Sequence, residues 1–538
     1  MTTFTGPPAH SEPGIGALTL GGLLDEVCAR HGPREAIAFH EPGGDELHWT
    51  YTDLHTEVRR FAKALVAAGT DKGTRVALLM GNRPEWMVGA FGVALAGGVL
   101  VPVNTLFEPP EIAHVLTHSD TALLVHQRRL AHHAYDDQIG ALEPDLPFLR
   151  RRVCFGAPSY EEFLSAGDTV TDDELDARGA AVSPFDDALV IYTSGSTGVP
   201  KGVLHGHRAP ALQSWRFAQQ LRLDPTVRVW SAFPFFWTAG FCMVMGGTLA
   251  AGGCLVLQEL FDAGEALALM ETEKVTSPHA WPHQLAALEV HPDWPRRDLS
   301  SLRHVVSFTS LGRHPTVRVD DVWSPRAAYG LTETFTIISS LPADTPPALR
   351  DGHEGAVLPG NLVRIVDRET GAPQPPGMPG EIRVKGPTLM KGYLKVAPEE
   401  VFDVDGFFPT GDAGFVDDDS MLHWVGRTND LIKTGGANVS PVEIENELLR
   451  HPGLKSALAV GVPHDTLGEV VVVCAVAHAD RGVDEDSVRH FLRGRLASYK
   501  VPRHVLFFDE DDLVLTGNAK IRTEDLRRLA ADRLGVHR

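Results

Sequence analysis

The chain has 538 residues and a formal net charge of −21, too long for one typical domain and acidic enough to repel nucleic acid and anionic membranes. No window approaches the ~18–20 uninterrupted apolar residues of a membrane helix. The opening MTTFTGPPAHSEPGIG lacks a basic stretch and an apolar core, so residues 1–17 read as a flexible tail rather than a leader. Five cysteines (Cys28, Cys154, Cys242, Cys254 and Cys474) form no CxxC pair and leave an odd one, which fits buried thiols in a reducing cytoplasm better than disulfides or a metal site.

From about Leu18 to Val425, short β-branched apolar runs alternate with helix-like stretches. Arg75–Met80 reads as a buried strand, and Pro84–Val103 as a helix, a Gly-Gly stop and a strand. Ala122–Val125, Ala188–Thr193, Cys254–Leu257 and His304–Phe308 repeat the strand pattern, predicting parallel sheets covered on both faces. From Gly352 to Lys395, frequent Gly and Pro turns between short strands predict a small β-rich subdomain. The last part reads as a separate α+β unit, joined within Val425–Gly436. In it Ser440–Gly453 is a helix capped by Ser440, with Pro441 in the first turn and Glu443 three residues on from the cap. SALAVGVP and EVVVVCAVAH read as strands, and DSVRHFLRGRLASYKVP as an amphipathic helix.

Ile191–His207, IYTSGSTGVPKGVLHGH, cannot bury a hydrophobic face. Gly195, Gly198 and Gly202 permit tight turns, and successive backbone N–H groups make a nest for anionic oxygen. Thr193, Ser194, Ser196 and Thr197 add four hydroxyls and Lys201 a cation. A strand feeds the loop, the usual ligand position at the carboxyl edge of a parallel sheet. A Walker A loop is excluded on spacing: it needs Gly-Lys-Ser/Thr, whereas Lys201 stands between Pro200 and Gly202.

YTSGSTGVPKG resembles the phosphate loop of the adenylate-forming (ANL) superfamily, which contains the acyl-CoA synthetases. YGLTET (Tyr329–Thr334), PGMPGEIRVKGPTLMKGY (Pro376–Tyr393), PTGD (Pro409–Asp412), GRTNDLIKTGGANVSPVEIE (Gly426–Glu445) and LTGNAKIRTEDLR (Leu515–Arg527) resemble its other signatures, in the family's order. The resemblance spans roughly Thr19 to Leu529 and implies an α/β fold. A large N-terminal domain (18–428) of parallel α/β sheets with a β-rich subdomain would bind ATP and an acid. A small mobile α+β C-terminal domain (429–538) would follow. It also implies the chemistry: a carboxylate attacks the α-phosphorus of ATP, pyrophosphate leaves, and a thiol then displaces AMP. The carboxylate is already ionised at pH 7, so the first step needs alignment and charge neutralisation rather than a base.

Carried over by that resemblance, Thr193, Ser194, Gly195, Ser196, Thr197, Gly198 and Lys201 would hold the phosphates. Glu333 would ligate Mg²⁺ as a hard carboxylate, with Thr332 beside it on a phosphate oxygen. Tyr329, next to Gly330, would offer a ring face to adenine, and Asp412 and Arg427 would hold the ribose. Lys520 would bridge α-phosphate and carboxylate in the first step. The C-terminal domain would swing about Asn429, after which Gly435 and Gly436 line a pantetheine tunnel; Lys433, Lys500 and Arg503 would meet acidic groups of coenzyme A. The acid pocket would be built around Trp237, His279 to Gln284, and Ser307 to Gly312, with Ser307, Thr309, Ser310 and Gly312 on its wall.

The chain departs from the family's pattern at SFTSLGRHP, where a Gly-Ala stretch is usual, at Trp237 where His is common, and at Asn429 and Ala519. The pocket composition favours a compact, aromatic or polar acid over a long alkyl chain. The acceptor expected is coenzyme A. A carrier-protein thiol and a non-thiol acceptor (amide formation or nitrite activation) are the enzyme alternatives, and an inert nucleotide-binding relative is the alternative from another class. A cytoplasmic monomer or homodimer without nucleic-acid or membrane partners completes the expectation.

Overall fold

The computed structural model describes the chain apart from residues 1–2, 42–43, 45, 194–199, 308, 321, 326, 351, 368–369, 428–431, 440, 449, 479–480, 510–522 and 537–538. Two α/β sheets form the larger part. In one, Asp187–Thr193, Val99–Pro102, Arg75–Leu79, Leu123–Gln127 and Arg151–Phe155 run parallel; the antiparallel strands Lys201–Gly206 and Gly392–Tyr393 extend it beyond Asp187–Thr193. In the other, Ser277–His279, Arg228–Ser231, Cys254–Leu257 and Glu35–His40 are parallel, with Glu46–Thr50 antiparallel at the edge. Helix Pro84–Leu95 is apolar around its circumference and is correspondingly buried almost throughout. It packs with helices Leu20–His31 and Tyr51–Ala67 in one continuous core. All five cysteines are buried free thiols.

The β-rich part is broader than Gly352–Lys395. Strands Leu362–Val366, Gly380–Lys385, Phe408–Val416 and Leu422–Arg427 form an antiparallel sheet, and Phe4–Thr5 joins its edge. The stretch expected as a flexible tail is therefore tied down from residue 4. The Glu12 carboxylate accepts from the Arg216 guanidinium at 2.9 Å, with Arg216 fully buried.

The C-terminal unit is a sheet of Ala437–Val439, Ile432–Thr434, Gly468–Ala477 and Leu454–His464, with His504–Phe507 parallel to Gly468–Ala477. Alternation along Gly468–Ala477 splits its two faces. Val471 and Val473 pack under helices Pro441–Leu448 and Glu485–Leu492, while Val470, Val472 and Cys474 meet helix Thr523–Leu534.

Two expected elements differ. His304–Phe308 is not a strand over its described residues: the Arg303 and His304 amides both donate to the Thr276 carbonyl, and the chain then turns, Thr309 N–H donating to Val306 O. The neighbouring edge strand Ser277–His279 is only three residues long, so there is little ladder to extend. The helix expected across DSVRHFLRGRLASYKVP ends at Leu492; Arg493 is extended (ψ 135°) and Gly494 has φ +82°. A 3₁₀ turn at Ser498–Lys500 then directs Tyr499 and Lys500 back against the large domain.

Candidate active site

Strands Asp187–Thr193 and Lys201–Gly206 are hydrogen-bonded antiparallel, with Thr193 opposite Lys201. Ser194, Gly195, Ser196, Thr197 and Gly198 lie outside the described residues. Thr193 and Lys201 line a cavity of about 520 Å³, and the Lys201 ammonium sits 5.2 Å from the Tyr393 ring centroid.

Facing them is a hairpin, Ala328–Leu331 with Thr336–Ser340, closed by a 3₁₀ turn at Thr332–Thr334. Its geometry is unusual. Phe335 and Thr336 have φ of +48° and +84°, which non-glycine residues rarely adopt, and a Cβ on Gly330 would fall 1.7 Å from the Thr336 carbonyl oxygen. Supports hold this turn in place. The Thr332 carbonyl lies 2.8 Å from His205 Nε2, and a carbonyl only accepts, so that nitrogen carries the proton. Burial pushes His205 down to about 4, keeping the ring neutral. Glu333 Oε1 accepts from the Tyr393 hydroxyl at 2.7 Å. Gly330, Thr332 and Glu333 all line the 520 Å³ cavity.

Tyr329 donates its hydroxyl to Asp412 Oδ2 at 2.8 Å, both residues being buried. The cavity wall is formed by their chain neighbours Gly330, Thr410 and Gly411, not by Tyr329 or Asp412 themselves. Asp412 is paired in register with Arg427, whose side chain lies outside the described residues, as do Asn429 and Lys520.

Of the residues expected on the acid pocket, Trp237 lines the cavity, followed by Thr238 and Ala239 at the start of a π-helical stretch, Ala239–Gly246. Trp281 joins it, its indole packed against Phe233 with ring centroids 4.3 Å apart and the planes tilted by 34°. His279, Ser307, Thr309, Ser310 and Gly312 are not on the wall. His279 is buried, lies 3.3 Å from the Ser277 hydroxyl and is pushed down to about 4 by burial. Thr309 Oγ1 donates to Val306 O and accepts from Gly312 N–H; the Ser310 hydroxyl donates to Glu289 on the neighbouring helix. With no strand to carry it forward, this segment closes on itself and on helix Pro282–Glu289.

A larger cavity of about 1070 Å³ lies between the large domain and the C-terminal unit. Trp237, Trp281, Ala437 and Tyr499 line both cavities and so stand at their common boundary. Gly435 is on the wall of the larger one and Gly436 on that of the smaller. Arg503 lines the larger cavity, and Arg489 and Arg493 join it. The sequence reading missed these two; their i,i+4 spacing on the expected helix was the available signal, although Arg493 lies just past the helix end in the structure. Lys433 is directed elsewhere, its ammonium 3.7 Å above the Trp424 ring. Lys500 is not a cavity residue either. It is completely buried, its ammonium 2.8 Å from Glu111 Oε1 and 2.7 Å from Glu443 Oε1. Burial opposes the charge, yet the carboxylates hold Lys500 above its ordinary value, while burial pushes the Glu443 carboxyl above the usual range.

Among the described residues no helix is long and apolar enough to cross a membrane. Residues 24–394 match the AMP-binding enzyme family model, and residues 443–520 match the model of the AMP-binding enzyme C-terminal domain. The chain is 35% identical over 508 residues to a feruloyl-CoA synthase from Amycolatopsis, covering 93% of this chain and 97% of the relative. It is 33% identical over 506 residues to the indoleacetate–CoA ligase of Aromatoleum aromaticum, covering 91% and 96%. Its structure superposes on the amide bond synthetase McbA from Marinactinospora thermotolerans with a TM-score of 0.75 at 26% identity, covering 95% and 99%.

Proposed function

The chain belongs to the acyl-CoA synthetases of the adenylate-forming superfamily, and from that premise we propose how its two cavities share an AMP-forming carboxylate–CoA ligase reaction. ATP and the acid meet in the smaller cavity, and the thiol of coenzyme A reaches the adenylate through the larger one. The observation that carries this division is the boundary of Trp237, Trp281, Ala437 and Tyr499, shared by a chamber lined by Thr193, Lys201, Thr332 and Glu333 and a channel lined by three arginines; in the proposal it is the throat through which the thiol passes.

In the chamber, Lys201 and the hydroxyls of Thr193 and Thr332 face the triphosphate, supplying fixed charge and donors where negative charge builds up. Glu333, oriented by Tyr393, presents a hard carboxylate oxygen beside them, a donor set that fits Mg²⁺. When bound there, Mg²⁺ neutralises phosphate charge. Asp412, held by Tyr329, and Arg427 serve the ribose from the paired strands. Trp237, Thr238, Ala239 and Trp281 enclose the acid; two indoles in the wall favour a flat aromatic or arylalkyl acid. Arg489, Arg493 and Arg503 receive the phosphates of coenzyme A, and the bare backbone at Gly435 and Gly436 leaves room for its thin pantetheine arm.

The orientation seen here suits the thioester step. Helix Thr523–Leu534, three residues beyond Lys520, packs on the sheet face opposite the helices beside Lys500. For Lys520 to act in adenylation, the C-terminal unit turns about the segment containing Asn429.

Incubation with ATP, coenzyme A and a panel of ferulate, indoleacetate, benzoate and short alkyl acids, with AMP and thioester read by mass, tests the proposal. AMP with an acyl-CoA is expected; ADP, or AMP without thioester, overturns it. The likeness to an amide bond synthetase makes an amine the acceptor to add in the second case.

A further inference from the structure

The buried ion cluster around Lys500 spans the two domains, and nothing in the reaction above uses it. Lys500 and Glu443 both belong to the C-terminal unit and stay together however that unit turns. Glu111 belongs to helix Pro109–His118 of the large domain and meets Lys500 only in this orientation. The side chains of Lys500, Glu111 and Glu443 are 0%, 8% and 6% exposed. A charge so placed is tolerated only when its partners are in position. The Lys500 ammonium is also 5.0 Å from the Phe107 ring centroid, so the large domain supplies an aromatic face as well.

The neighbouring residue connects the cluster to the chemistry. Tyr499 takes a hydrogen bond from Asn104 at 3.5 Å, stands edge-on to Trp237 with centroids 6.3 Å apart, and lines both cavities. Fixing Lys500 therefore fixes the ring that forms one side of the throat. Resting on the division of labour proposed above, we infer that Glu111 is a positioning residue for the thioester step: it docks Lys500, and through it Tyr499, against the large domain after adenylation. Glu111 touches neither substrate cavity in this orientation. Its influence passes through Lys500, and it has no partner in the C-terminal unit once that unit swings away.

Glu111→Gln isolates this role. Glu111 Oε2 also accepts the Glu108 backbone N–H at 3.1 Å, capping its helix, and a glutamine keeps that acceptor and the side-chain volume while removing the charge. With a substrate acid from the panel, pyrophosphate release in a first turnover without coenzyme A stays within twofold of the parent. Transfer from the preformed adenylate to coenzyme A, followed by rapid quench, falls at least tenfold, and Glu111→Asp recovers part of it. Equal loss in both half-reactions, or loss in neither, overturns the inference. Hydrogen exchange of the parent enzyme gives a second measurement, needed if the variant does not fold. Protection of residues 498–503 rises with coenzyme A plus a non-hydrolysable adenylate over ATP alone; unchanged protection overturns the inference. Failure of the parent to make any thioester instead removes the proposed function, and the exchange contrast still reports on the docking.

Discussion

Gly436→Ala separates the two half-reactions by a different route. Gly436 has φ +82°, and a Cβ there would stand 2.5–2.7 Å from three atoms of the Trp281 indole. That ring cannot slide away freely, because Phe233 packs against it with ring centroids 4.3 Å apart. Two costs follow. An alanine at positive φ strains the small domain's hairpin by about 1–2 kcal/mol wherever that domain sits. The overlap with Trp281 adds about 1–3 kcal/mol, the usual cost of overpacking, and applies only in the orientation described here. At 1.4 kcal/mol per factor of ten, the second cost slows transfer to coenzyme A by roughly 5- to 150-fold. Pyrophosphate release should change little. Gly468→Ala is the control: φ is +78°, but its nearest contact is the Lys433 carbonyl oxygen at 3.3 Å. It should lower the melting temperature without separating the half-reactions. A Gly436→Ala enzyme that acylates coenzyme A at the parent rate, or loses both steps equally, would refute the assignment of this face to the thioester step.

Lys520→Ala should abolish pyrophosphate release while thioester formation from supplied acyl-adenylate survives, and stopped assays of each step decide it. Gly330→Ala places a Cβ 1.7 Å from backbone oxygen; opening the Thr332–Thr334 turn should cost adenylation at least a hundredfold, measured as kcat/KM for ATP. Trp237→Ala should shift kcat/KM towards bulkier acids, since the indole forms part of the chamber wall. Stability should also depend on pH through His205 and His279. Each is held neutral by burial, with a pKa near 4 against 6.5 when exposed. Between those values the unfolded chain binds the extra proton, so stability is full above about 6.5 and declines as pH falls towards 4, by about 3 kcal/mol per histidine. Urea melts from pH 4.5 to 7.5 should show this slope, and His205→Gln, which keeps a donor for Thr332 O, should flatten it.

The elements legible from pattern were those whose partners are also regular. Helix Pro84–Leu95 and strand Arg75–Leu79 lie close to their expected bounds because uniform apolarity permits only a core position. The motif residues Thr193, Lys201, Thr332 and Glu333 converge on one chamber, as the resemblance implied. What went astray depended on side-chain partners that residue type alone does not announce. Lys500 reads as a surface cation until Glu111, 389 residues away, is placed beside it. The hydroxyls of Thr309 and Ser310 look available until the turn uses them locally and on Glu289. Tyr329 is set back from the chamber wall, its hydroxyl donating to Asp412, 83 residues on.

The seat of Glu12 on Arg216 sets a practical limit on how the protein can be shortened. Pattern alone invites trimming at Leu18, but that cut would leave a guanidinium sealed inside the large domain without its counter-charge, a loss of about 3–5 kcal/mol. The sheet edge covered by Phe4–Thr5 would be bared at the same time, giving neighbouring molecules a strand to pair with. Affinity tags belong ahead of Met1 with a spacer, and a clone begun at Leu18 should be recovered largely as aggregate.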